Sequence, residues 1–259
     1  MVYYVAYRAS EEVRYRSRIP RRLRALGCKS IRRSFWEVDE ENIGFVARML
    51  QGSSPVILKR TRDVRKPTPT KGEKQSELGS LIVIAYEVPK EEEKRKIMNL
   101  LRRAPCIRLC RGVYAFSQLH GRLDRSHELV DARTFWKFIR EIDENATVIP
   151  RLTTAGHRSV GRLLEVATKR VEKEIDTVVE GYRGLLEKVE RGEIERRQAV
   201  GTARKLMTRF KIAKKVAVSY ERWLGINVST MLVKPYPTIR KVRSLLHEKY
   251  GIAAKGWQS

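Results

Sequence analysis

The sequence predicts an α+β chain: two β-α-β-β-α-β units in tandem, followed by a long antiparallel α-helical hairpin. Three observations carry this. The stretch from Leu81 to Phe116 repeats Val2 to Val38. Each copy opens on a short apolar run of β-branched or aromatic residues, as in a buried strand. After Gly156 the apolar period changes to heptads.

The repeat is visible residue by residue. Ala6-Tyr7 answers Ala85-Tyr86, and Ile19 and Leu23 answer Ile97 and Leu101. Cys28 answers Cys106, Arg33 answers Arg111, and Trp36 answers Tyr114. One deletion after the first strand accounts for the slip in spacing.

In the first unit, residues 1–58, Val2 to Tyr7 is short and β-branched or aromatic, which predicts a buried strand. Ser10 is a candidate N-cap, with Glu11 and Glu12 in the first turn. The helix runs to Leu26 and stops at Gly27, and Pro20 starts it late or kinks it. Lys29 to Val38 gives one or two strands. Asp39 caps a helix to Leu50, and Val56 to Leu58 closes the unit. This is the order of the ferredoxin-like fold.

Lys59 to Ser80 interrupts the pattern. It holds Lys59, Arg60, Arg62, Arg65, Lys66, Lys71 and Lys74, two prolines and few large apolar side chains. It reads as a basic linker able to neutralise phosphates, or as a solvated tether. The second unit spans 81–153. Pro89 opens its first helix, with Ile97, Leu100 and Leu101 inward. Cys106 to Phe116 gives strands, Ser117 to Glu128 an insertion, Asp131 to Ile142 a capped helix, and Thr147 to Ile149 the closing strand.

The hairpin occupies 154–225. Val160, Leu164, Ala167, Val171, Ile175, Val178, Tyr182, Leu185 and Val189 form one heptad seam. Gly192 breaks it. Ala199, Ala203, Leu206, Phe210, Ala213, Ala217, Tyr220 and Leu224 form the returning one. Arms of about 30 residues reach about 45 Å at 1.5 Å per residue. The C-terminal segment, 226–259, reads as an extended stretch at Val228 to Val233 and a short basic helix at Thr238 to Tyr250.

Charge narrows the function. Among 259 residues, 55 Lys and Arg face 30 Asp and Glu, a net +25. Such an excess attracts polyanions, with nucleic acid the first candidate. A thermophile's ion-pair surface explains high charge but not an excess of one sign. No apolar run is long enough for a membrane span, the N-terminal MVYYVAYRAS does not read as a signal peptide, and a cytoplasmic location is expected. Three cysteines argue against a disulfide framework, and no four-ligand zinc cluster is visible.

The candidate phosphate contacts are Arg14, Arg18, Arg21, Arg22 and Arg24 of the first helix, Arg65 and Lys66 of the linker, and Arg204, Lys205, Arg209, Lys211, Lys214 and Lys215 of the hairpin's return arm. Tyr3, Trp36 and Tyr114 suit a base-stacking platform, although strand aromatics are more often core. His120 and the Ser126-His127-Glu128 run lie close in sequence, but adjacency does not supply nucleophile geometry. No helix-turn-helix is apparent.

Two family resemblances follow. Arg33-Ser34-Phe35-Trp36-Glu37, with Val5-Ala6-Tyr7 and Ala85-Tyr86, resembles the strands of CRISPR-associated protein two, a small ferredoxin-like nuclease that works as a dimer. The resemblance implies a fused pseudo-dimer here. Residues from about Leu81 to Leu224 are similar to the N-terminal domain of ChrB-type chromate-resistance regulators. That match rests on the first strand, on Arg111-Gly112-Val113-Tyr114, and on the hairpin with Lys205-Leu206. It implies a chromate-responsive, DNA-associated role.

The nuclease family carries an Asp at the end of its first strand, for Mg²⁺. Arg8 and Glu87 stand at the matching positions here. Arg8 supplies no oxygen ligand and repels the ion. The two residues either pair with each other or remain solvated apart. Glu87, with Glu91 or Glu92, is the remaining carboxylate candidate, yet acids in a helix's first turn usually complement its dipole. The expectation is a non-catalytic, regulatory or accessory nucleic-acid-binding protein with no cofactor. The alternatives are an Mg²⁺-dependent endonuclease and an assembly protein that binds a partner, or a second copy, through the hairpin.

Overall fold

A computed structural model describes residues 1–8, 18–67, 78–87, 91–119 and 129–251. It divides into two compact units. One comprises Met1–Ala167 with Ser219–Ile226, and the other Thr168–Val218 with the residues from Asn227 onward.

The first unit is built on one eight-stranded antiparallel sheet. Its strands are β1 (Val2–Ala6), β2 (Lys29–Arg32), β3 (Phe35–Asp39), β4 (Val56–Arg60), β5 (Leu81–Ala85), β6 (Cys106–Cys110), β7 (Val113–Ser117) and β8 (Thr147–Thr154). Their order across the sheet is β2-β3-β1-β4-β8-β5-β7-β6. The two repeats therefore meet edge to edge at β4 and β8, where Leu58 lies opposite Thr154 and Arg60 opposite Leu152. Pairing edges removes two rows of unsatisfied N–H and C=O groups.

The repeat seen in sequence occupies equivalent places. Ser30 pairs with Trp36 in one half, and Arg108 pairs with Tyr114 in the other. The Tyr7 N–H donates to the Ser34 carbonyl at 3.1 Å, and the Tyr86 N–H to that of Gly112 at 2.8 Å. Gly112 has φ 73°, a turn conformation that suits glycine.

Helices α1 (Arg18–Ala25) and α2 (Glu40–Met49) belong to the first half, and α3 (Glu91–Arg102) and α4 (Ala132–Ile142) to the second. The strands alternate toward two cores. Val5, Tyr7, Leu23, Cys28, Trp36 and Val46 cluster in the first half. Ile84, Tyr86, Leu101, Cys106, Tyr114 and Phe135 cluster in the second. Asp131 caps α4 by accepting the Thr134 N–H at 2.7 Å, whereas Asp39 makes no side-chain cap bond on α2.

The opposite strand face is buried too, with Tyr4, Ala6, Phe35 and Leu58 in the first half and Val83, Ala85, Val113 and Ala115 in the second. The sheet folds back on itself. β1 and β6 are five places apart, roughly 24 Å in a flat sheet at 4.8 Å per strand. Yet Arg8 Nη2 donates to the Arg108 carbonyl at 3.2 Å. Arg32 of edge strand β2 likewise reaches Asp143 and the Asn145 carbonyl of the second half. The pairing of β8 with β5 shifts register between Leu81 and Val83.

Beyond the sheet run α5 (His157–Glu190), α6 (Arg196–Leu224), α7 (Ser229–Val233) and α8 (Tyr236–Tyr250). The heptad seams are buried apart from Leu164 and Leu206, which are half-buried. In the second unit α5 and α6 pair antiparallel, with the Tyr182 hydroxyl donating to the Ala203 carbonyl. The helix α8 lies against them. Ile239, Val242 and Leu246 are buried, Phe210 meets Tyr236 edge-on at 5.5 Å, and the Tyr250 hydroxyl donates to the Ile194 carbonyl. The extended stretch expected at Val228 to Val233 is instead helical from Ser229. Its β-branched residues suggest a strand, but local hydrogen bonding begins with the Leu232 N–H on the Val228 carbonyl. The end of α6 returns to the first unit, where the Tyr220 hydroxyl donates to the Cys106 carbonyl and Trp223 Nε1 to that of Leu78. Among the described residues, no helix is long and apolar enough to cross a membrane.

Candidate nucleic-acid interface

The end of β4 opens into a groove of about 780 Å³. Lys59, Arg60, Arg62, Arg65 and Arg151 line it, against a single acidic lining residue, Asp63. The expected tether thus begins as ordered structure, because Lys59 and Arg60 lie inside β4. The next residues are tied down as well. The Thr61 N–H donates to the Arg151 carbonyl at 2.9 Å. The Arg65 N–H donates to Ser80 Oγ at 2.8 Å, and the Ser80 N–H returns to the Arg65 carbonyl at 2.9 Å.

Arg151 is the residue that sequence reasoning missed. Its φ of 59° is left-handed, a conformation that costs a non-glycine residue roughly 1–2 kcal/mol. The surroundings impose it: the Arg151 N–H donates to Gln118 Oε1 at 2.9 Å, and Nη1 to the Arg62 carbonyl at 3.1 Å. The kink sets an arginine from β8 among cations that precede it by about ninety residues. No local pattern announces this.

Several charges at the groove also have contacts within the protein. The terminal ammonium of Met1 pairs with Glu40 at 2.9 Å. The Lys59 ammonium lies 5.7 Å from the Tyr3 ring centre, a cation–π contact. Burial, together with Glu37, pushes the Tyr4 hydroxyl up to about 12, while Arg60 opposes the shift. Arg60, Arg62, Arg65 and Arg151 are exposed, as is Lys66 just beyond.

The remaining sequence candidates separate into three groups. In α1, Arg18, Arg21, Arg22 and Arg24 are exposed around buried Leu23, and Arg24 approaches the Trp36 ring at 6.0 Å. Arg14 lies outside the described residues. In the second unit Arg204, Lys205, Lys211 and Lys214 are exposed, and Lys215 is half-buried. Arg209 is different: its Nε and Nη2 both donate to Glu174 Oε2, at 3.1 and 2.8 Å. That guanidinium is engaged across the hairpin.

The hairpin's charge is lopsided. Helix α6 carries nine Lys and Arg against one Glu, whereas α5 carries seven of each sign. Arg197, Arg204 and Lys211 recur every seventh residue along the exposed side of α6, about 10.5 Å apart.

Two other readings fare differently. Trp36 and Tyr114 are 1% and 8% exposed and sit in the two cores, so neither serves as a stacking platform; Tyr3 is half-buried. Arg8 and Glu87 form no pair. Arg8 binds the Arg108 carbonyl, and Glu87 is exposed with its backbone N–H on Asp143. Glu91 and Glu92 pair with Lys94 and Lys96. Among the described residues no group of three His, Cys, Asp or Glu is placed to hold a metal ion. The three cysteines are buried, and burial pushes the Cys110 thiol up to about 12. His120 and residues 126–128 lie outside the described residues.

No family model, curated protein or solved structure matches this chain.

Proposed function

We propose that this protein binds nucleic acid without catalysing its cleavage, in a regulatory or accessory role. The single observation that carries the reading is the groove at the end of β4, where five cationic side chains from two distant segments converge on one acidic residue. Phosphate neutralisation would supply most of the affinity there. The exposed cations of α1 and α6 extend the same chemistry over other surfaces. On this reading each half of the sheet is a ferredoxin-like unit, and the chain is a fused pseudo-dimer. The strand orders β2-β3-β1-β4 and β8-β5-β7-β6, with corresponding strands in corresponding places, support that view.

The test is incubation of the full chain with labelled single- and double-stranded DNA and RNA, with and without Mg²⁺. The proposal expects retarded, intact nucleic acid in both conditions. Cleavage that EDTA abolishes would replace it with the nuclease reading. Absence of binding at low salt would end it.

A further inference from the structure

A second cavity, of about 750 Å³, opens at the opposite end of β4. That volume lies within the range of small-molecule sites, about 300–1,000 Å³. Part of the lining is apolar: Ala47, Pro55, Ile57 and Ala155. Another part is cationic and comes from separate elements. Arg48 belongs to α2, and Arg158 and Arg162 to the first turns of α5, beside His157.

The two parts are fixed to one another. The Ile57 N–H donates to buried Ser159 Oγ at 3.0 Å, which ties the start of α5 to β4. Ser54, in the lining, has φ 46°. It and Arg151 are the two positive-φ non-glycine residues among those described, and each lines one of the two cavities. Strain of this kind persists where the surroundings over-determine it, and it concentrates at ligand clamps.

A third source of positive charge stands close by. The Arg8 N–H donates to the Ser53 carbonyl at 3.2 Å, next to Ser54. Partial burial lowers the Arg8 pKa, and so do the nearby Arg162 and Arg108 guanidiniums. The acid in the lining is Glu165, which Arg162 Nη1 contacts at 2.7 Å. The cavity therefore has more cations than its own carboxylate can neutralise, together with apolar lining residues.

We propose that this cavity binds the phosphomonoester of a nucleotide, with Arg48, Arg158 and Arg162 around the phosphate and the base or sugar against the apolar lining. A phosphomonoester carries nearly two negative charges and three acceptor oxygens at neutral pH, which several guanidiniums satisfy better than one. The apolar lining and the volume call for a body larger than a bare ion. Two sources share this chemistry: a free mononucleotide and the phosphorylated end of a strand. The site is separate from the groove at the other end of β4 and does not depend on the function proposed for that groove.

The experiment is calorimetric titration of the full chain with adenosine monophosphate, adenosine and inorganic phosphate. Matched short strands bearing a 5′-phosphate or a 5′-hydroxyl complete the set. The nucleotide should bind at least tenfold more tightly than adenosine. Arg48→Gln with Arg158→Gln should weaken it at least tenfold, and Arg62→Gln in the other groove should leave it unchanged. Arg158→Gln alone, at an exposed position, is the second variant should the double one not fold. A preference for the phosphorylated strand assigns the site to strand ends; nucleotide binding without that preference assigns it to the free molecule. Equal binding of nucleotide and adenosine, or variants that bind as the native chain does, overturns the proposal. Binding of the 5′-hydroxyl strand reports separately on the groove.

Discussion

Replacing Arg60 and Arg62 by Gln removes two of the five cations that line the groove at the end of β4. If each of the five neutralises one phosphate of a duplex, log K falls against log salt with a slope of about −4.5. A rise from about 50 to 200 mM salt then weakens binding by about 500-fold. With three cations left the slope is about −2.7, and the same rise costs about 40-fold. Cations on α1 or α6 that reach further phosphates steepen both lines equally, so the difference of about 1.8 survives. Both side chains are exposed, so folding stability should change little. Fluorescence anisotropy of a labelled duplex at four or more salt concentrations measures both slopes. The loss should be the same for unrelated sequences, because phosphate contacts carry no base information. Parallel lines for the native and variant proteins would refute the assignment of the groove.

Phe210→Ala should destabilise the second unit by about 3–5 kcal/mol in urea denaturation, since Phe210 is 3% exposed and packs edge-on against Tyr236. A loss below about 1 kcal/mol would mean that the α5–α6 seam is not a packed core. Arg151→Gly should relieve the left-handed strain and hold stability within about 1 kcal/mol of the native value, while weakening nucleic-acid binding. Melting curves and anisotropy on one sample decide both halves of that statement. Stability should also fall at alkaline pH. Cys110, Tyr4 and Tyr182 each have a folded pKa raised to about 12, from 9.0 for the thiol and 10.0 for the phenols. The unfolded chain then loses protons first, so the stabilisation is whole below about pH 9 and declines from there toward pH 12. Denaturation midpoints that do not change between pH 8.5 and 11 would contradict this.

The helices and the repeat were legible in the sequence because each has a period that side chains enforce. Cys28 and Cys106 are buried in corresponding cores, as are Trp36 and Tyr114, so matching residues marked matching strands. The heptads were legible because one seam residue in every three or four must be apolar over many turns. The junction of β4 with β8 was not. Edge pairing is made by backbone N–H and C=O groups, which every residue carries, so no residue type signals it. The groove was half legible. Lys59 to Lys66 stood out as a basic run, but Arg151 joins it through a bend in β8 that depends on tertiary contacts. Arg209 shows the converse: its charge drew it into the candidate list, and Glu174, thirty-five residues earlier, absorbs it.

The return of Tyr220 and Trp223 to the first unit bears on the order of synthesis. Both halves of the sheet are synthesised before residue 168. Yet the buried carbonyls of Cys106 and Leu78 receive their donors from the end of α6. Thr168–Val218 is translated in between, at roughly 5–20 residues per second. For those seconds the surface that Tyr220 and Trp223 cover in the finished protein stays open to water. A fragment ending at Ala167 would leave that surface open permanently, so expressing the sheet alone calls for a chain that runs on through Leu224.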